Sequence, residues 1–126
     1  MKIVLTNQES ESIFFDALCN GLSYVCGYGF EIEFDSKDYA QAKDNTSNAA
    51  FEEVLMQILR DGGTITLADG VNDGAETATI SLQDVHERVS DVDAAVLIEA
   101  YNEEGDADTA DAVLQTVFFK EITFVG

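Results

Sequence analysis

Phe30-Glu31-Ile32-Glu33-Phe34 alternates large apolar and acidic residues at every position. Successive side chains of a strand point to opposite faces, so this stretch turns Phe30, Ile32 and Phe34 to a core and both acids to water. Immediately upstream, Leu22, Tyr24 and Cys26 alternate with Ser23 and Val25, and Cys26-Gly27-Tyr28-Gly29 supplies turn glycines. Residues 22–34 therefore read as a hairpin.

Further upstream, Thr6 precedes Glu9 at capping-box spacing. A helix over 7–20 is expected, with Phe14, Ala17, Leu18 and Gly21 on one face and Asn20-Gly21 as its stop. Residues 2–6 read as a short strand. Downstream, Asp35-Ser36 begins a polar stretch with room for a short helix over 37–43. A stronger helix follows over 48–60, where Phe51, Val54, Leu55, Ile58 and Leu59 form a stripe that Gly62-Gly63 ends. Thr64 to Ala68 and Thr77 to Ile80 are β-branched runs joined by Asp69-Gly70 and Asn72-Asp73-Gly74, a second hairpin. Ser81/Asp84 and Ser90/Asp93 repeat the capping-box spacing for helices over 82–89 and 91–103. The second of these carries Ala94, Leu97, Ile98 and Tyr101 on one face. Asp106 begins a helix over 107–118, and Ile122-Thr123-Phe124-Val125 reads as a closing strand.

The sum is an α+β fold in a single domain, residues 1–126. It has a mainly antiparallel sheet of five or six short strands and four or five helices largely on one side. Hydrophobic residues make up 46% of the 126-residue chain, enough for a core without metal or disulfide support. No compositional break or internal repeat divides it.

Charge narrows the partners. There are 25 Asp and Glu against 6 Lys and Arg, a formal net charge of −19. Direct binding to nucleic acid, or to an anionic membrane surface, is disfavoured because both need Lys and Arg. A basic protein partner is expected. No run of about 18 apolar residues is present. Ile3-Val4-Leu5 is too short for a signal-peptide core, and two cysteines are few for a secreted scaffold, so a cytoplasmic location is expected.

Two segments carry a resemblance. Lys2-Ile3-Val4-Leu5-Thr6-Asn7, with Ala17-Leu18-Cys19-Asn20-Gly21, resembles small uncharacterised proteins of tailed bacteriophages. Asp108-Thr109-Ala110-Asp111-Ala112-Val113-Leu114-Gln115, with the terminal strand and Gly126, is similar to the ends of such proteins. The resemblance implies a phage or prophage origin, hence a host cytoplasm, and brings no activity or catalytic residue with it.

The residues offer little for catalysis. His86 is the sole histidine, among Asp84, Glu87 and Arg88, and reads as a solvated or locally paired side chain. Cys19 and Cys26 are seven apart, not a CxxC redox pair, and read as structural thiols. Gly27-Tyr28-Gly29 is a turn, not a nucleotide fingerprint. No enzyme activity and no cofactor are expected. Asp69, Asp73 and Glu76 are weak candidates for Ca²⁺ or Mg²⁺. Their loop lacks EF-hand ligand spacing, with Val71 where a ligand should stand, and a hairpin turn accounts for it.

The acidic C-terminal third is the remaining signal. Between Gln83 and Ala112 lie Asp84, Glu87, Asp91, Asp93, Glu99, Glu103, Glu104, Asp106, Asp108 and Asp111, against one base, Arg88. Solubility of a small domain needs a net charge of only about 2–8. Two explanations of the excess stay open. In the first, these ten acids bind a basic partner, even as a DNA mimic: duplex DNA carries one charge per ~1.7 Å, so the net charge matches roughly 30 Å of duplex. In the second, the chain is an accessory domain whose acidity serves solubility or adaptation to high salt.

Overall fold

The computed structural model describes residues 4–27, 29–47, 49–69, 77–102 and 107–120. In chain order these form α1 (Asn7–Cys26), β1 (Phe30–Phe34), α2 (Ser36–Asn45), α3 (Phe51–Arg60), β2 (Ile65–Asp69), β3 (Ala78–Ile80) and α4 (Leu82–Arg88). A 3-10 turn (Val89–Asp91), α5 (Ala94–Tyr101) and α6 (Ala107–Phe119) follow.

The fold is α+β, but its proportions differ from the expectation. Among the described residues there are six α-helices and a single three-stranded antiparallel sheet in the order β1-β2-β3, not five or six strands with four or five helices. Residues 22–26 account for one lost strand, because α1 runs on to Cys26. Leu18, Leu22 and Val25 are buried at i, i+4 and i+7, a helical period that the local alternation with Ser23 conceals. Residues 4–6 join no sheet. Thr6 instead closes the expected capping box, its N–H donating to Glu9 Oε1 at 2.9 Å while the Glu9 N–H donates to Thr6 Oγ1 at 3.1 Å. Residues 2–3 and the strand expected at 122–125 lie outside the described residues.

The extra helix has a local cause. Asp35 accepts from the N–H groups of Lys37 and Asp38, which nucleates α2 over ten residues despite its polar composition. α4 stays separate because Ser81 and Asp84 form a complete capping box at its start. The Ser90/Asp93 box does not form. The Ser90 hydroxyl donates to the Glu87 carbonyl, and Asp93 is itself the cap of a later-starting α5.

β1 pairs not with residues 22–26 but with β2, placing Ile32 opposite Leu67 and Phe34 opposite Ile65, which in turn faces Ile80 on β3. These apolar residues share the inward face. Glu31, Glu33 and Thr79 are exposed on the outer one, where the Thr66 and Thr79 hydroxyls hydrogen-bond at 2.8 Å. α3 ends as expected: Gly62 takes φ +93°, with Gly62 N–H donating to the Leu59 carbonyl and Gly63 N–H to the Ile58 carbonyl, a Schellman motif.

The core is centred on α1 against α6, with Phe14, Leu18, Leu114, Val117 and Phe118 all buried. The Phe14 and Phe118 rings meet at 6.2 Å in a tilted arrangement. α3 adds Val54, Leu55, Met56, Ile58 and Leu59, each fully buried side chain contributing about 1.5–3 kcal/mol.

Candidate functional site

The acidic residues of the C-terminal third fall into distinct groups. Asp84 is committed to the fold, accepting from the Ser81 N–H at 2.9 Å and pairing with Arg88 at 3.2 Å. Asp93 caps α5, accepting from the Ala95 N–H at 3.0 Å. Asp111 is in the interior, 7% exposed, and both its oxygens accept from the Gln115 amide at 3.0 Å. Its apolar-stripe neighbours Ala110, Val113 and Leu114 pull it inward. Glu87, Asp91, Glu99 and Asp108 are exposed, as is Asp93. Thr109 donates to Glu99 at 3.0 Å, which brings the first turn of α6, and Asp108 with it, beside α5. Glu103, Glu104 and Asp106 lie outside the described residues.

Arg88, the one base in this stretch of sequence, is turned into the protein. One guanidinium nitrogen donates to the Val117 carbonyl at 2.9 Å and the other faces Asp84. Its charge is thereby spent on the end of α6 and on a capping acid.

A second constellation joins distant parts of the chain. His86 Nε2 lies 2.8 Å from Glu11 Oε2, and Arg60 Nε donates to Glu11 Oε1 at 3.0 Å. One carboxylate thus ties α1 to α3 and α4. Burial pushes the Glu11 carboxyl up, but hydrogen bonds from His86 and Arg60 and their charges outweigh it, so the net shift is downward. His86 is therefore paired, but not locally, since its partner is 75 residues away. The sequence contained a signal for this: Glu11 sits at i−3, i−4 and i−7 from Phe14, Phe15 and Leu18, an acid on an apolar face that needs a partner.

The trio does not continue into a nucleophile. Among the described residues no hydroxyl or thiol hydrogen-bonds to His86, and the buried Ser10 Oγ has no hydrogen-bond partner. Cys19 and Cys26 both lie on α1, so Cys26 is helical and not in a strand. Burial raises the Cys19 thiol pKa, and Glu52, Asp16 and Glu53 push it the same way; burial and then Glu31 do so for Cys26. Raised pKa values leave both as protonated, poor nucleophiles.

A groove of about 210 Å³ is lined by Ser12 and Phe15 of α1, by Glu53, Met56, Gln57 and Arg60 of α3, and by Thr46. It is small for a ligand site, and its charged groups oppose one another. Among the described residues no group of three or more His, Cys, Asp or Glu is placed to hold a metal ion. Of the candidate cation ligands, Asp69 ends β2, while Asp73 and Glu76 lie outside the described residues. No helix among the described residues is long and apolar enough to cross a membrane.

No family model matches the chain, and no curated protein and no solved structure matches it.

Proposed function

We propose that this chain is a small, non-catalytic interaction protein of phage type that binds a basic, nucleic-acid-binding protein of the host cytoplasm. The acidic surface spanning α4, α5 and the start of α6 would stand in for DNA. The observation that carries the reading is the inward turn of Arg88. In a stretch of sequence with one base, that base is tied to Val117 and Asp84, while Glu87, Asp91, Glu99 and Asp108 are exposed. Such a face repels itself and costs stability, a cost that a cationic partner offsets on binding.

The second reading, acidity for solubility or high salt, has its own support. Asp16, Glu31, Glu33, Asp44, Glu53 and Asp61 are also exposed, on other faces. One experiment separates the two. The immobilised chain is exposed to host lysate at low and high salt, beside two amide variants: Glu87→Gln, Asp91→Asn, Glu99→Gln, Asp108→Asn on one face, and Glu31→Gln, Glu33→Gln, Asp44→Asn elsewhere. The proposal expects nucleic-acid-binding proteins to be retained, displaced by duplex DNA, and lost with the first variant only. Release should be steep with salt, since exposed charges beyond about 10 Å are screened at 0.1 M. Equal losses in both variants would favour general acidity, and no retention at low salt would end the proposal.

A further inference from the structure

α5 has more apolar surface than the core consumes. Its sequence, Ala94-Ala95-Val96-Leu97-Ile98-Glu99-Ala100-Tyr101, contains a single charged residue. A helix apolar on nearly all sides is normally buried. Here Leu97 is buried, and Val96 and Ala100 pack half-buried against the core. Ala94, Ala95 and Ile98 are exposed, Ile98 at 53%. At 100° per residue, Ala94, Ile98, Asn102, Ala95 and Glu99 form one continuous arc facing away from the core. The sequence pattern had grouped Ala94 and Ile98 with Leu97. The helix is instead rotated so that this pair faces outward.

Acidic residues flank the arc. Asp91 and Asp93 are exposed just before its N-terminus, Glu99 is at its edge, and Asp108 is brought alongside by the Thr109–Glu99 hydrogen bond. The apolar part of the arc, Ala94, Ala95 and Ile98, with acids beside it, selects its complement, a helix with an apolar stripe flanked by Lys and Arg. A second copy of this chain is disfavoured, because it would bring the same acids and a net charge of −19 against them.

We infer that the outer arc of α5, with Ile98 at its centre, seats a cationic amphipathic helix of the partner. α5 is ~12 Å long, enough for a partner helix of two or three turns. This rests on the acidic-surface reading above and adds that recognition includes an apolar seat, which duplex DNA lacks.

The test uses the full chain and two synthetic peptides of equal charge. One has Lys with Leu at i, i+3, i+4 and i+7; in the other each Leu is replaced by Gln. Binding is followed by isothermal titration and by amide chemical shifts, with Ile98→Ser as the variant and its fold checked by circular dichroism. The inference expects the Leu peptide to bind at least ten-fold tighter than the Gln peptide, with shifts centred on α5, and Ile98→Ser to abolish that difference. Equal binding of the two peptides to the parent chain would overturn the seat and leave the acidic-surface reading standing. Failure of both peptides to bind at low salt would overturn both. Self-association that Ile98→Ser dissolves would assign the arc to a second copy and also overturn the inference.

Discussion

A Cβ atom on Gly21 would stand 2.7 Å from the Cβ of Ala110, and within 3.0–3.1 Å of the α6 backbone at Ala110 and Asp111. Gly21 is a point at which α1 and α6 make close backbone contact, inside a helix that the Asn20-Gly21 pair was expected to end there. Gly21→Ala should therefore destabilise the protein. Overpacking costs about 1–3 kcal/mol, and the better helix propensity of alanine returns only about 1. Urea unfolding should show a net loss of about 1 kcal/mol or more, partly rescued in a double-mutant cycle with Ala110→Gly. A more stable Gly21→Ala protein would contradict the packing.

The same glycine shows what the sequence could and could not reveal. It lay on the correct apolar face with Phe14, Ala17 and Leu18, but the Asn20-Gly21 pair imitates a C-cap. Whether a glycine stops a helix or admits a neighbour depends on a segment some ninety positions away in the sequence. Local signals were legible where the partner group is local: the Thr6/Glu9 and Ser81/Asp84 boxes, the α3 stripe and the Gly62-Gly63 stop. They failed where two periods coexist, as at 22–26, or where a helix has apolar residues on several sides, as in α5. The acidic surface was legible as composition. The burial of Asp111 and the inward turn of Arg88 were not, because both depend on contacts within and to α6.

Glu11 gives the fold a pH dependence in acid. Its folded pKa is depressed below the ordinary value of 4.5, so its contribution is complete above that value and is lost as pH falls through the lower folded pKa. Glu11→Gln removes the titration, the Arg60 ion pair and the carboxylate's contact with His86, and should cost about 1–2 kcal/mol near neutral pH. The gap between parent and variant should narrow below pH 4.5, measured by denaturant unfolding across pH. A gap that widens in acid would contradict the assignment.

Gly62 isolates a pure backbone effect. Its φ is +93° and nothing lies within 4 Å of a Cβ placed there, so a substitution meets strain without a clash. Gly62→Ala should cost about 1–2 kcal/mol, the left-handed penalty of an L-residue. Gly62→Asn should cost less, since Asn tolerates that region. Thermal unfolding of the two variants should rank them in that order, and equal midpoints would argue against the Schellman cap of α3.

The acids of the C-terminal third should divide into two classes when neutralised one at a time. Asp84 and Asp93 satisfy backbone N–H groups at helix starts, so Asp84→Ala and Asp93→Ala should each cost about 1 kcal/mol. Asp93→Asn should be close to neutral, because Asn caps as well as Asp. Asp111→Ala should cost about 1–3 kcal/mol by leaving the buried Gln115 amide without the carboxylate it donates to. The Glu87 carboxylate is exposed and accepts from the Gln83 side chain at 3.0 Å, so Glu87→Gln should change stability by less than about 0.5 kcal/mol. Relief of self-repulsion should make that small change favourable at low salt and smaller at high salt. Unfolding curves at the two salt concentrations distinguish the classes. The capping and buried losses persist in salt because they arise from hydrogen bonds, whereas the Glu87 effect fades because it arises from exposed charge. If Asp93→Ala fell with Glu87 instead, the cap of α5 would be wrong, and Asp93 would count with Glu87 among the exposed carboxylates of the proposed surface.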